Sequence, residues 1–481
     1  MKGPASRFCA LTLLTFLSLL AFRHFVGVLR FPYPLEYGEG VNLLWSQRAG
    51  EGLDLYPLIQ EDRFPHIHHP YPPVTAWLTS GLVRLGVNTH PFLAGRWISL
   101  LGMSLAALAL FTLLRRRTDA GAATMGVLVF LLSPMMLQFG PLMRVDALAL
   151  GLSLCALMRL DREPRGLLSA AVFASLALLV KPSYVAAAVV VGVFALRGHP
   201  IRKAVPVLLA GLLPITLVLV GLLIRETPQL WQHLWQFQRL PLDFSLLFDW
   251  LSRFAGRHGL ILAAGGMGAW HSFRKNRGPV EFYTLFILAA PILTGAIAGS
   301  QENYMMEVWA VACLYAAGAW HQLRARSEDS AWSALLISLL LFLPVAPAPV
   351  FTRTYGQELA VGAASAWTPT RADHETMRLL LEELRTAEGP VLGADPGFLL
   401  AAGHEVLYQP FQFQQLSQVG TWRDPVLHQA LETDYFSHVL LKGMADTAGD
   451  TYYSPETQAL IDRHYELHRV LGPWRLYRRA L

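Results

Sequence analysis

Leu101-Gly-Met-Ser-Leu-Ala-Ala-Leu-Ala-Leu-Phe-Thr-Leu-Leu-Arg115-Arg116-Arg117 decides the class of fold. Fourteen residues without a charge run straight into three arginines. An apolar helix ending in a basic cluster is the mark of a membrane span whose end stays on the cytoplasmic side. A span needs about 20 mostly apolar residues to cross a hydrocarbon core of roughly 30 Å. Read back to residue 92, this segment satisfies that length.

The same pattern repeats along the chain. Apolar runs occur near 8–29, 92–114, 120–139, 145–160, 166–181, 183–197, 204–224, 258–273, 280–299, 304–322 and 331–349, eleven in all. Basic clusters follow every second one: Arg115–Arg117, then Arg159, Arg162 and Arg165, then Arg197, Arg202 and Lys203, then Arg274, Lys275 and Arg277, then Arg324 and Arg326. Lys2 and Arg7 precede the first. These loops all fall on one side, which puts the amino terminus in the cytoplasm. Residues 30–91, 225–257 and the tail after 350 then face outward. The loop 225–257 opposes this with four arginines, but five short basic loops agree against it. No small-x-small cleavage site follows the first apolar run, so it is expected to be an uncleaved anchor.

Composition agrees. The 481 residues are 53% hydrophobic and only 15% charged, against about 25% charged in an ordinary soluble domain. The net charge of +5 is accounted for by the basic loops, so no nucleic-acid partner is expected. Cys9, Cys155 and Cys313 each lie in an apolar run without metal-ligand or redox spacing. After Pro349 the pattern changes to a small α/β domain: an amphipathic helix over 376–387, a strand at 390–394 ending in the turn Asp395-Pro396-Gly397, and short strands near 404–408, 437–442 and 466–471. The expected division is 1–350 for the membrane domain, with the first outer loop 30–91 carrying the chemistry, and 351–481 for the outer domain.

Charges beside apolar runs are costly, and here they gather at the outer side. The first outer loop opens with Glu36-Tyr-Gly-Glu39-Gly. Two carboxylates three residues apart suit a catalytic base with a tuning partner, an oxygen-ligated divalent cation, or simply an acidic helix start. His66, His68 and His69 follow, and three histidines in four residues could hold zinc or line a wet loop. Tyr71-Pro72-Pro73 then starts a short apolar helix, expected to lie on the membrane. Arg144 and Asp146 stand at the start of the fourth span, and Lys181 ends the fifth. Arg144 and Lys181 suit an anionic headgroup, with Asp146 orienting Arg144; the bland reading is a local ion pair and a snorkelling lysine. Asn303, Tyr304 and Glu307 open the tenth span. Glu307 lies about one turn inside the bilayer and needs a partner, for which Arg144 and Lys181 are the candidates. Trp231, Trp235, Phe237, Phe244, Phe248 and Trp250 suit an interfacial aromatic belt.

In this order the motifs resemble the GT-C glycosyltransferases that use polyprenyl-phosphate sugars. The bacterial family 39-like members, which include protein O-mannosyltransferases, aminoarabinose transferases and Rgt-type transferases, are the most similar. The matching segments are Glu36–Gly40, Tyr71–Pro73, Arg144–Leu150, Lys181 and Asn303–Glu307, across residues 8 to 350. Many relatives have adjacent Asp-Glu where Gly38 precedes Glu39 here, which leaves the choice of base between Glu36 and Glu39. The resemblance implies an α-helical polytopic enzyme of the bacterial cytoplasmic membrane. It would move a sugar from a polyprenyl-phosphate donor to a lipid, glycan or protein acceptor on the outer face, with inversion. Glu36 or Glu39 would be the base; Arg144 and Lys181 would hold the donor phosphate; Asp146, Tyr71, Asn303, Tyr304 and Glu307 would support them. Relatives differ in their need for a divalent metal, so none is assigned. A secondary transporter and a non-catalytic envelope-assembly protein are the readings from other classes.

Overall fold

The computed structural model describes residues 4–161, 166–297, 300–326, 368–442 and 452–480. Thirteen α-helices are described before residue 327: α1 (Pro4–Arg30), α2 (Tyr37–Glu51), α3 (Val74–Arg84), α4 (Leu93–Arg115), α5 (Ala120–Leu131), α6 (Pro134–Phe139), α7 (Asp146–Leu160), α8 (Leu167–Val180), α9 (Ala186–Gly198), α10 (Ile201–Leu234), α11 (Phe244–Lys275), α12 (Pro279–Gly295) and α13 (Met306–Arg326). The apolar runs of the sequence each become one of these, except 120–139, which breaks into two helices. Ser133 ends the first half because it caps the second: its hydroxyl accepts from the Met136 amide, with Pro134 at the first helical position. The run at 331–349 lies outside the described residues.

Among the described residues two helices are long and apolar enough to span a bilayer by length and composition alone, Leu93–Arg115 and Ile201–Ile224. Shorter apolar helices stand beside them at Ala120–Leu131, Leu167–Val180, Ala186–Gly198 and Pro279–Ala289. One apolar core joins these helices, with Ala106, Leu110, Leu150, Ala156, Ala177 and Ala310 among its buried members. Alanine and glycine are frequent here because small residues let helices approach closely without a hydrophobic driving force.

Two of the basic clusters make ion pairs at one end of this bundle. Arg116 pairs with Asp161 at 2.8 Å, and Arg324 with Asp119 at 3.4 Å. At the other end α2, α3 and the loop between them form a separate layer, pinned by the tip of α10. Gln232 exchanges hydrogen bonds with both backbone groups of Ile59, at 3.0 and 2.9 Å.

The tail folds on that layer. Its four-stranded sheet has the order β1-β2-β4-β3, with β1 (Val391–Gly393) parallel to β2 (His438–Lys442), and β3 (Tyr465–Leu471) and β4 (Trp474–Arg479) antiparallel to their neighbours. The expected strands at 390–394, 437–442 and 466–471 are present. That at 404–408 is reduced to one bridge, Tyr408 to His66, because the segment pairs with the outer loop and not with the sheet. Asp395-Pro396-Gly397 is a helix start: Asp395 accepts from the Gly397 amide and caps Pro396–Ala402. A second apolar core runs through both layers, from Phe31, Trp45, Tyr56 and Ile67 in the outer loop to Leu380, Phe398, Tyr408 and Leu440 in the tail.

Candidate active site

The two glutamates of the first outer loop have different environments. Glu39 is fully buried and held as a fork against Arg96: Arg96 Nε donates to Oε1 at 2.8 Å and Nη2 to Oε2 at 2.7 Å. The amides of Met143 and Leu35 donate to the same two oxygens, at 2.8 and 2.9 Å. Arg96 spends its remaining donors on the carbonyls of Val28, Phe31 and Tyr33. All five of its N–H groups are used, so the pair is a closed unit that ties α4 to the start of the outer loop.

Glu36 stands at the N-cap of α2, where its Oε2 accepts from the Gly38 amide at 2.8 Å. The same oxygen accepts from Arg144 Nη1 at 2.8 Å. Its side chain keeps 24% of its exposure, against none for Glu39. The helix-start reading therefore holds for Glu36 without using up the group, since Oε1 has no partner among the described residues. Gly38 leaves room for this pair: a Cβ there would stand 2.7 Å from Glu36 Oε2 and 3.0 Å from Arg144 Nη1, so a larger residue would displace both side-chain ends.

Arg144 leads to a buried relay. Its Nε donates to Asp146 Oδ2 at 3.0 Å, and Lys181 Nζ donates to Asp146 Oδ1 at 2.6 Å. Asn303 Nδ2 donates to the same Oδ1 at 2.7 Å. The Lys181 ammonium lies 4.0 Å from the centre of the Tyr304 ring, a favourable cation–π placement. Tyr71 lies within electrostatic reach of Lys181, Tyr304, Asp146 and Arg144, and burial pushes its phenol up to about 12. Five separated parts of the chain thus converge: Glu36, Tyr71, Arg144-Asp146, Lys181 and Asn303-Tyr304. The positive charges are two and the carboxylates two, and the cations sit on either side of Asp146.

Glu307 is elsewhere. It accepts from Ser153 Oγ at 2.9 Å and from the Tyr283 hydroxyl, and Ser153 and Tyr283 are themselves 2.9 Å apart. Its expected pairing with Arg144 or Lys181 is not made, because Asp146 already holds both cations. Asn303 and Glu307 both face α7, where they reach Asp146 and Ser153, two turns apart on the same side of that helix. The first turn is a 3-10 segment, Glu302–Met305, and α13 begins only at Met306. Glu302 is paired with Arg257 at 2.8 Å.

The three histidines do not converge on a common point. His66 Nε2 bonds the Gln60 carbonyl at 2.9 Å, and His68 Nε2 the His233 carbonyl at 2.8 Å. His69 lies flat between Trp45 and Tyr56, with ring centres 4.5 and 5.1 Å away. Burial holds His66 and His68 down to about 4 and His69 well below the usual range. Among the described residues no group of three His, Cys, Asp or Glu side chains is placed to hold a metal ion, and Glu36 and Glu39 turn to different arginines. In the aromatic loop Trp231, Trp235, Phe244 and Phe248 are exposed, whereas Phe237 and Trp250 are buried in the two cores.

The sequence reading missed Arg96, although it is a charge beside an apolar run like the others. It also missed Ser153 and Tyr283, which carry no such signal.

Residues 68–224 match the family model described as dolichyl-phosphate-mannose-protein mannosyltransferase. That stretch contains Tyr71, Arg96, Arg144, Asp146 and Lys181. Sequence comparison with curated proteins finds no match. Among solved structures, ArnT from Cupriavidus metallidurans bound to undecaprenyl phosphate is similar with a TM-score of 0.66, at 13% identity, over 96% of this chain and 97% of that one. The archaeal oligosaccharyltransferase AglB from Archaeoglobus fulgidus, in complex with an inhibitory peptide and a dolichol-phosphate, is similar with a TM-score of 0.51 at 13% identity, over 99% of this chain and 75% of that one. The chain is a multi-pass membrane protein with the GT-C fold.

Proposed function

We propose that this protein is an inverting glycosyltransferase that takes its sugar from a polyprenyl-phosphate donor, with Glu36 as the base. The observation that carries the reading is the inequality of the two glutamates. Glu39 has both oxygens committed to Arg96 and two amides, while Glu36 keeps exposure and an oxygen without a partner among the described residues, beside the Arg144–Asp146–Lys181 relay.

In this mechanism the acceptor hydroxyl gives its proton to Glu36 as its oxygen bonds the anomeric carbon from the face opposite the phosphate. The bond from that carbon to the phosphate oxygen breaks, and polyprenyl phosphate leaves with the electron pair and one more negative charge. Arg144 and Lys181 stabilise that charge as it develops. Asp146 holds both cations in place, and Asn303 and Tyr304 fix Asp146 and Lys181 in turn. Lys181 has donor capacity left beyond its bond to Asp146, because an ammonium has three N–H groups.

The similar structures support this donor class, since one holds undecaprenyl phosphate and the other a dolichol-phosphate. The proposed location is the bacterial cytoplasmic membrane, with the amino terminus inside and residues 351–481 forming an outer domain over the site. The gathering of charge at one end of the helices, with no internal repeat, weighs against a transporter, which tends to bind at the midplane.

The test is sugar transfer in membranes with a radiolabelled panel of polyprenyl-phosphate sugars. Glu36→Gln is expected to lose 10²–10⁴-fold in rate, the usual worth of general base catalysis, at normal protein levels and with donor binding retained. Transfer by Glu36→Gln at the wild-type rate would remove Glu36 as the base. A wild type that consumes no donor in the panel would overturn the enzyme reading.

A further inference from the structure

A second polar site lies at the opposite end of the helices. A cleft of about 270 Å³ opens between the ends of α4, α11 and α13, far larger than the ~10–15 Å³ that one water requires. Its basic lining is Arg117 from the α4 end and Lys275 from α11, with His271, Asn276 and Gln322 beside them. Among the described residues no carboxylate lines it. The acids nearby are already engaged: Asp161 pairs with Arg116 and Arg117, and Glu281 accepts from Ser272 and the Gly278 amide. Arg117 holds Asp161 at 3.3 Å through one nitrogen. Lys275, His271, Asn276 and Gln322 have no side-chain partner among the described residues.

Arg117, already paired with Asp161, and Lys275 line the same cleft with no further carboxylate between them among the described residues, and an anion in that space would offset their mutual repulsion. The surroundings of the cleft say which anion. On α11, Met267 is one turn from His271 and 65% exposed, and neighbouring Trp270 is 64% exposed with Arg274 stacked 4.7 Å above its ring. On α13, Leu323 follows Gln322 and is 62% exposed. An apolar flank running into a basic cleft suits a molecule with an anionic head and a hydrocarbon tail, and basic pockets between spans on the side of the basic loops take such headgroups.

We propose that this cleft binds the headgroup phosphate of an anionic phospholipid from the leaflet that faces the basic loops. Lys275 and Arg117 would contact the phosphate through charge-assisted hydrogen bonds, and the acyl chains would lie against Met267, Trp270 and Leu323. The site is separate from the Glu36 region and does not depend on the reaction proposed for it.

Native mass spectrometry of the full chain released from nanodiscs tests this, using an equal mixture of phosphatidylglycerol and phosphatidylcholine. The wild type is expected to retain one phosphatidylglycerol in preference to phosphatidylcholine. Lys275→Glu and Arg117→Gln should each lower its occupancy at least tenfold. Lys203→Glu, which removes an exposed basic residue on the same side but outside the cleft, should leave it unchanged. Arg117→Gln keeps the test open if charge reversal at Lys275 impairs folding. No preference in the wild type, or equal loss in the Lys203 variant, would overturn the proposal. Full displacement by millimolar inorganic phosphate would also overturn it, by showing a site for soluble phosphate in place of a lipid.

Discussion

Each residue of Glu36-Tyr-Gly-Glu-Gly40 has a separate physical duty. Glu36 caps α2 and meets Arg144; Tyr37 packs its ring 5.3 Å from Phe411 and 5.5 Å from Tyr452 in the tail. Gly38 leaves room for the ion pair above it, and Glu39 turns inward to Arg96. At Gly40 a Cβ would stand 2.3 Å from the Gly397 nitrogen, so only glycine lets the tail approach. The neutral amide in Glu39→Gln would leave the buried Arg96 charge unpaired, at a cost of about 3–5 kcal/mol. Thermal unfolding of the detergent-solubilised protein should therefore show a large fall in Tm for Glu39→Gln and little change for Glu36→Gln. A Glu39→Gln protein with wild-type Tm and no transfer would make Glu39 the chemical residue. The sequence shows both glutamates and their nearness to the membrane. It does not rank them, because the ranking comes from Arg96, which stands 57 positions away, and only the folded chain shows where that arginine spends its donors.

At the scale of elements, the helices of the bundle are legible because their signal is local and repeated: an apolar run and then a basic cluster. Pairings between elements were less so. β4 has its signal in the sequence, since Trp474 and Leu476 point inward after the Gly472-Pro473 turn. It is short and follows directly on β3, so it reads as a continuation of the tail. The join between the outer loop and the tail has no pattern at all. There the His66 amide donates to the Leu407 carbonyl at 2.7 Å, the Gln409 amide to the His66 carbonyl at 3.0 Å, and the His68 amide to the Gln409 side chain at 2.8 Å. His233 on α10 locks the same region. Its Nδ1 accepts from the His69 amide at 2.9 Å, which leaves Nε2 to donate to the Pro57 carbonyl at 2.8 Å, so the ring is neutral. Burial holds His233 down to about 3 and His66 and His68 to about 4. Unfolded, each would bind a proton near 6.5. Their native pKa values are thus depressed, so the unfolded chain takes up more protons and stability is lost as pH falls from about 6.5 toward 4. Melting curves at steps between pH 7.5 and 4.5 should show Tm falling below pH 6.5, and His68→Gln should flatten the fall. A Tm independent of pH across that window would mean that these rings are not neutral in the fold.

For the whole molecule, the consequence is that the outer layer and the tail act as one body over the Glu36 region. They share a core in which Phe31, Tyr56 and Ile67 pack with Phe398, Tyr408 and Phe413. His374 stacks edge-on against Tyr33 with ring centres 5.1 Å apart, close to the carbonyls that hold Arg96. The tail therefore packs on the same short segment that carries Glu36, the proposed base, and a change at their contact should reach the chemistry. Gly40→Val tests this without touching Glu36, Arg144 or Lys181. Its side chain would meet the Gly397 backbone, which cannot yield as a flexible side chain could, and overpacking of this kind costs ~1–3 kcal/mol. The expected result is faster proteolysis within residues 368–480 and at least a tenfold loss of transfer, while binding of a polyprenyl phosphate to the helices persists. Unchanged transfer with a visibly loosened tail would show that the site is complete without residues 368–480, and acceptor selection would then have to come from the outer loop alone.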